Sequence, residues 1–199
     1  MTEPAIRPAA TVILWRTGPG GTQVLMGQRG AAAVFMPSKY VFPGGAVDPG
    51  DTGQLAMVAD RCLDRLSQVC VPDAPTPAAL IGAACRETAE ETGLILRGLQ
   101  ALRFVFRAIT PPGRSRRFDA RFFMAPATAI AGDPDDFSAA ADELGHLHWI
   151  GLAEARALDL PFITEVVLSE ITALLGGAAQ PGVPFFDNSG SVPTFRRID

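Results

Sequence analysis

The sequence predicts an α/β protein, a mixed β-sheet flanked by helices, and three observations lead there. Strand-like and helix-like segments are interspersed without regular βαβ alternation. Hydrophobic residues make up 48% of the chain and charged residues 19%, so a packed core is affordable and a disordered chain is excluded. The 17 prolines and 20 glycines are spread along the sequence, which marks many turns between short elements. A length of 199 residues corresponds to one domain, residues 1–199.

Taken in order, Thr11–Trp15 and Val24–Met26 are β-branched or apolar runs around Gly18-Pro19-Gly20-Gly21, a hairpin pattern. Met36 to Gly45 reads as a loop, a short strand and a Pro-Gly-Gly turn. Leu55, Val58, Ala59, Cys62, Leu66 and Val69 recur at helical spacing over 54–69, and three prolines between 71 and 77 end that helix. A second helix is expected over 78–92, stopped by Gly93. Strands follow at Leu94–Leu96, Phe104–Ile109, Phe118–Met124 and Leu147–Ile150, then a helix at Thr164–Leu175. The tail beyond Gly176 reads as irregular, closing in a short apolar and basic segment at Val192–Ile198.

The net charge of −4 gives no reason to expect nucleic acid or an anionic membrane as partner. Cys62, Cys70 and Cys85 are odd in number and lack a C-x-x-C pair, which fits a reducing compartment. The start of the chain shows no apolar signal region, and no run reaches a membrane span. The expectation is a soluble, cytoplasmic protein. Its oligomeric state, a homodimer included, is left open. No P-loop, dinucleotide fingerprint or G-x-S-x-G elbow is present. His146 and His148 alternate on a strand without a third ligand at metal spacing, so packing or surface roles suit them better than zinc.

The most informative stretch is Arg86-Glu87-Thr88-Ala89-Glu90-Glu91-Thr92-Gly93-Leu94. At about 100° per residue, Glu87, Glu90 and Glu91 share an arc about 100° wide, with Ile81, Cys85 and Ala89 opposite. Like charges at i, i+3 and i, i+4 repel; Arg86 offsets part of this, and a hard divalent cation would offset more. A solvated acidic helix face is the plainer reading of the three glutamates alone.

With Gly45 and Asp51 ahead of it, this stretch resembles the Nudix box, G-x5-E-x7-R-E-U-x-E-E-x-G-U, where U is aliphatic. Asp51 stands where the box has Glu, and Thr88 where it has an aliphatic residue. Residues 52–85 replace the box's seven, an insertion of about 27 residues holding the first expected helix, at about 52–77. Such an insertion resembles the Nudix motif 19-like branch, which includes a peroxisomal coenzyme A diphosphatase. Phe35-Met36-Pro37, Val41 to Gly45, Ile109-Thr110-Pro111, Arg116 to Phe123, and Glu143 with Trp149 are similar to it as well, so the likeness runs from about Thr11 to Leu175.

The resemblance implies the Nudix fold, a mixed sheet between helices with a loop–helix–loop catalytic motif. It also implies hydrolysis of the diphosphate linkage in a nucleoside diphosphate derivative. Glu87, Glu90 and Glu91 would bind Mg²⁺ or Mn²⁺, with the carbonyl of Gly44 as a further ligand. Arg86 would orient a box carboxylate. Glu143, beside Asp142 and ahead of the last expected strand, is the candidate base, with an ordinary loop acid as the equal alternative. From their own pattern, Arg117 and Arg121 alternate with Asp119 on one strand face and are expected to meet substrate phosphates, with an exposed salt-bridge ladder as the alternative. Arg116 and Arg29 are further candidates for substrate contact. Coenzyme A or an acyl derivative is the first substrate suggested; ADP-ribose, NADH and nucleotide sugars are alternatives. A non-catalytic nucleotide sensor on the same scaffold is a different class, disfavoured because all three glutamates are kept and no DNA-binding domain fits in the chain.

Overall fold

The computed structural model describes residues 3–68 and 74–199. Its main sheet has nine strands, with the path β11-β10-β6-β7-β1-β2-β3; β4 pairs with β1 and β9 with β2. The strands are β1 (Ile6–Gly18), β2 (Gly21–Arg29), β3 (Tyr40–Val41), β4 (Gly44–Ala46), β6 (Arg103–Ile109), β7 (Arg117–Pro126), β9 (Leu144–Gly151), β10 (Val183–Asp187) and β11 (Thr194–Ile198). A separate small ribbon joins β5 (Ile95–Leu96) to β8 (Ile130–Ala131). The β1–β7 and β6–β10 pairings are parallel and the others antiparallel, so the sheet is mixed.

Strand alternation assigns the two faces. From β1, Ala10, Val12 and Leu14 point to one side, where Leu80, Ile81 and Ala84 of helix α2 (Pro77–Thr92) cover them. Ile13, Val24, Met26, Phe106, Phe122 and Met124 point to the other, beneath Val167, Leu168 and Ile171 of helix α4 (Phe162–Leu175). A short helix, α3 (Leu152–Ala155), links β9 to the segment before α4.

Helix α2 starts where Thr76 accepts a bond from the Ala79 N–H and Pro77 takes the first turn. It ends at Gly93, whose φ of 75° is a left-handed cap open to glycine. The expected helix over 54–69 is shorter. A turn of 3-10 helix at Leu55–Met57 precedes α1 (Asp60–Ser67), which buries Cys62, Arg65 and Leu66 outside the sheet. Val69 and Cys70 lie outside the described residues. Cys62 and Cys85 are free thiols.

The tail corrects the sequence reading. Residues 183–187 and 194–198 are a β-hairpin that extends the sheet beyond β6, not an irregular end. Pro184 disguises the first of these strands, because proline donates no ladder bond and is scarce in paired strands. The face of helix α2 also differs in detail. Thr88 and Glu91 are buried, whereas Cys85 and Ala89 are only half-buried. Thr88 satisfies its hydroxyl on the Ala84 carbonyl at 2.7 Å, which lets it stand in an aliphatic position.

Candidate active site

The second half of α2 carries the acidic cluster against β4. Arg86 is its hub. Its Nε and Nη2 donate to the two carboxylate oxygens of Asp51 at 2.8 and 2.9 Å. Nη2 also donates to the Ala46 carbonyl at 2.9 Å, and Nη1 to Glu87 at 2.8 Å and Glu90 at 3.0 Å. This fork ties the two halves of the motif together across the insertion. Arg86 holds the Asp51 carboxyl below the usual range.

The three glutamates take different surroundings. Glu90 is exposed and turned toward Arg86. Glu87 packs so tightly against Gly45 that a Cβ there would collide with its carboxylate. Burial raises the Glu87 pKa against the pull of Arg86. Glu91 is only 2% exposed and accepts one bond from the Gly44 N–H at 2.7 Å. Burial pushes its pKa up to about 8, opposed by that bond and reinforced by the charges of Glu143 and Glu87. Glu143, just ahead of β9, is exposed and bonded to Arg29 at 3.1 Å.

A cleft of about 900 Å³ opens beside this cluster. Glu87, Glu143, Arg29 and residues 44–46 line its acidic end. The Nε of Arg29 is buried and has no hydrogen-bond acceptor. Arg116 lines the cleft too, together with Arg7 and Arg114. The far walls are aromatic. Phe162, 68% exposed, meets Phe186 edge-on, and Phe35 meets Phe118 in the same way.

The expectation for Arg117 and Arg121 is corrected. They are 4% and 1% exposed, and neither lines the cleft. Arg117 donates to the carbonyls of Thr110 and Asn188 and pairs with Glu3. Arg121 pairs with Asp119, which also takes the fork of Arg107. The cleft is lined instead by Phe118, Ala120 and Phe122 from the other face of β7. The apolar alternation is real, but β7 lies inside the sheet between β1 and β6 and is covered on both sides, so polarity alone does not say which face a cleft uses.

Arg7, Phe162, Phe186 and Asn188 are cleft residues that the sequence reading missed. Arg7 follows from continuing the β1 alternation outward through Ala9 and Thr11. Phe186 and Asn188 depended on reading the tail as strand.

All the donors gathered here are oxygens, which suits a hard cation such as Mg²⁺ or Mn²⁺. The buried Glu91 carboxyl, satisfied by the Gly44 N–H and held partly protonated by its burial, is the observation that fits such an ion, which would favour its charged form. Among the described residues no three His, Cys, Asp or Glu side chains stand as a ready ligand set. Glu87 and Glu90 are both turned to Arg86 instead.

No family model and no curated protein matches the sequence. Solved structures do match. A NUDIX hydrolase from Alicyclobacillus acidocaldarius is 26% identical with a TM-score of 0.62, over 85% of this chain and 92% of that one. A C. elegans Ap4A hydrolase binary complex is 18% identical with a TM-score of 0.57, over 87% and 100%. The NUDIX domain of Shewanella oneidensis NrtR, complexed with ADP ribose, is 13% identical with a TM-score of 0.57, over 86% and 89%. The chain has the Nudix fold, and the first of these likenesses supports a place in the Nudix superfamily.

Proposed function

We propose that the chain is a divalent-metal-dependent diphosphohydrolase acting on a nucleoside diphosphate derivative. One observation carries the reading: the Arg86 fork bonds Glu87 where it packs against Gly45, next to a buried Glu91 bonded to the Gly44 N–H, and Glu87, Gly44 and Gly45 line a cleft large enough for a dinucleotide-sized ligand. Glu87, Glu91 and the Gly44 carbonyl would hold the ion, with Glu90 at its outer side. When bound, Mg²⁺ or Mn²⁺ neutralises phosphate oxygens and lowers the pKa of a coordinated water.

The chain's own groups do the rest. Arg29, Arg116 and Arg7 line the cleft and supply the positive charge that meets phosphate oxygens. Glu143 stands at the cleft edge as the group to take a proton from the attacking water, with Arg29 holding its carboxylate in place. The aromatic far walls exclude water and suit a base or an apolar chain beyond the diphosphate. Coenzyme A or acyl-coenzyme A is the first substrate to try, and ADP-ribose, NADH and nucleotide sugars the second set.

We take residues 1–199 as one domain with an insertion at 52–77, working in the cytoplasm; no helix among the described residues is long and apolar enough to cross a membrane. The test is a panel of these diphosphates with Mg²⁺ and Mn²⁺, with products identified by mass. The expected result is cleavage at the diphosphate that falls at least a hundredfold in Glu91→Gln and Glu143→Gln. Binding of a panel member without any product would leave a binding module in place of an enzyme.

A further inference from the structure

Outside the cleft, three arginines converge on one neutral residue, Gln180. Arg61 and Arg65 of α1 both donate to the main-chain carbonyl of Gln180, at 3.0 and 2.8 Å. Arg65 also reaches the Gln180 Oε1 at 3.0 Å, and Arg103 at the start of β6 reaches the same atom at 3.5 Å. Three guanidiniums thus share two oxygens of a single residue. Arg65 is 6% exposed and Gln180 likewise, whereas Arg61 and Arg103 face solvent.

Among the described residues, no carboxylate lies within 4.0 Å of any of the three. Burial and the charges of Arg61 and Arg103 lower the pKa of Arg65, and the counter-charge of Asp199 acts more weakly than either. Gln180 is held in place from behind by its Nε2–H on the Val105 carbonyl, so it is a fixed acceptor and not a mobile one.

A neutral amide and a carbonyl satisfy hydrogen bonds, but they do not neutralise three positive charges. Each guanidinium has five N–H donors, and only some are used here. The two exposed arginines therefore keep donors directed at solvent beside a buried third. That is the arrangement that holds a tetrahedral oxyanion, as clustered arginines do for phosphate groups. The site is separate from the cleft. None of the four residues lines it, and Arg103 and Ile109 stand at opposite ends of β6, about 20 Å apart at roughly 3.3 Å per residue.

We propose that Arg61, Arg65 and Arg103 form a second binding site, for a phosphate-type oxyanion, on the side of the molecule where α1 and the start of β6 meet the segment around Gln180. The ligand is free phosphate or the phosphate group of a small organic molecule; both present the same oxygens.

The experiment is calorimetric titration of the full chain with inorganic phosphate and, separately, with AMP. EDTA keeps the acidic cleft free of metal, and ionic strength is matched with chloride. The comparison is the Arg61→Ala/Arg103→Ala variant, whose two substituted side chains are exposed; circular dichroism checks its fold. Arg7→Ala reports on the cleft. The expected result is millimolar or tighter binding in the wild type and in Arg7→Ala, weakened at least tenfold in the double variant. AMP binding tenfold tighter than phosphate, and lost with it, would assign the site to an organic phosphate; equal affinities would assign it to the free ion. Unchanged affinity in the double variant, loss in Arg7→Ala alone, or no binding above the chloride control would overturn the proposal.

Discussion

Replacing Arg86 with alanine removes the link that closes the motif across its insertion. Asp51 is left 5% exposed without the arginine that neutralised it, and among the described residues Glu87 loses its one ion pair. Breaking a buried pair by deleting one partner costs about 3–5 kcal/mol. Arg86 itself is 26% exposed, so water enters the vacated space, and the lower end applies: about 3 kcal/mol at neutral pH. For a chain of this size that is a fall in Tm of about 6–12 °C. The loss has a definite pH dependence. Arg86 depresses the Asp51 pKa below its ordinary 3.8, so the pair stabilises the fold above that value and fades as pH falls through the depressed one. In the variant, buried Asp51 titrates upward instead. The difference between the two proteins is therefore full at pH 7 and shrinks below about pH 4. Urea unfolding at both pH values measures it. Arg86→Lys is expected to recover under half, because one ammonium cannot serve both Asp51 oxygens and the Ala46 carbonyl. A loss under about 1 kcal/mol at pH 7, or an equal loss at pH 3.5, would refute the reasoning.

Two other substitutions separate charge from structure. The Glu91 pKa of about 8 means that its charge costs stability as pH rises from the ordinary 4.5 through 8. With a chelator near pH 9, Glu91→Gln is expected to melt no lower than the wild type; Mg²⁺ or Mn²⁺ then raises the wild-type melting temperature and leaves the variant's unchanged, as thermal melts would show. Arg117→Ala is expected to lose about 2–4 kcal/mol of stability through the carbonyls and the Glu3 carboxylate left behind, with kcat/KM changed less than about threefold. A large rise in KM at unchanged stability would return this arginine to the substrate.

Much of the site was legible because it is local. Arg86, Glu87, Glu90 and Glu91 lie within two turns of one helix, and Gly93 caps it; helical spacing fixes their relation without any knowledge of the sheet. The hairpin of β1 and β2 was legible for the same reason, its turn chemistry being local. Most of what failed was non-local. The face of β7 depends on which side of the sheet the cleft occupies, and that is decided by α4 and the tail hairpin. The length of α1 was overread because apolar spacing at Leu55 and Val58 continues into a 3-10 turn that breaks before Asp60. Asp51 shows the opposite case: its partner lies across the whole insertion, yet the motif pattern named both residues.

The order in which the sheet closes has a consequence for synthesis. β1 is made well before its parallel neighbour β7, which begins at Arg117, in register with Ile6. β6 in turn gains its outer neighbour only when Phe185 and Phe186 arrive beside Arg107 and Ala108. Such distant pairings slow folding, since long loops must close before their contacts form. A nascent chain of this protein thus carries the apolar faces of β1 and β2 uncovered through much of its translation, a window in which it is prone to aggregate and to engage chaperones. Phe186 and Asn188, both walls of the cleft, come last of all. Slowing translation over residues 30–110 should therefore lower the soluble yield more than the same pause after residue 190.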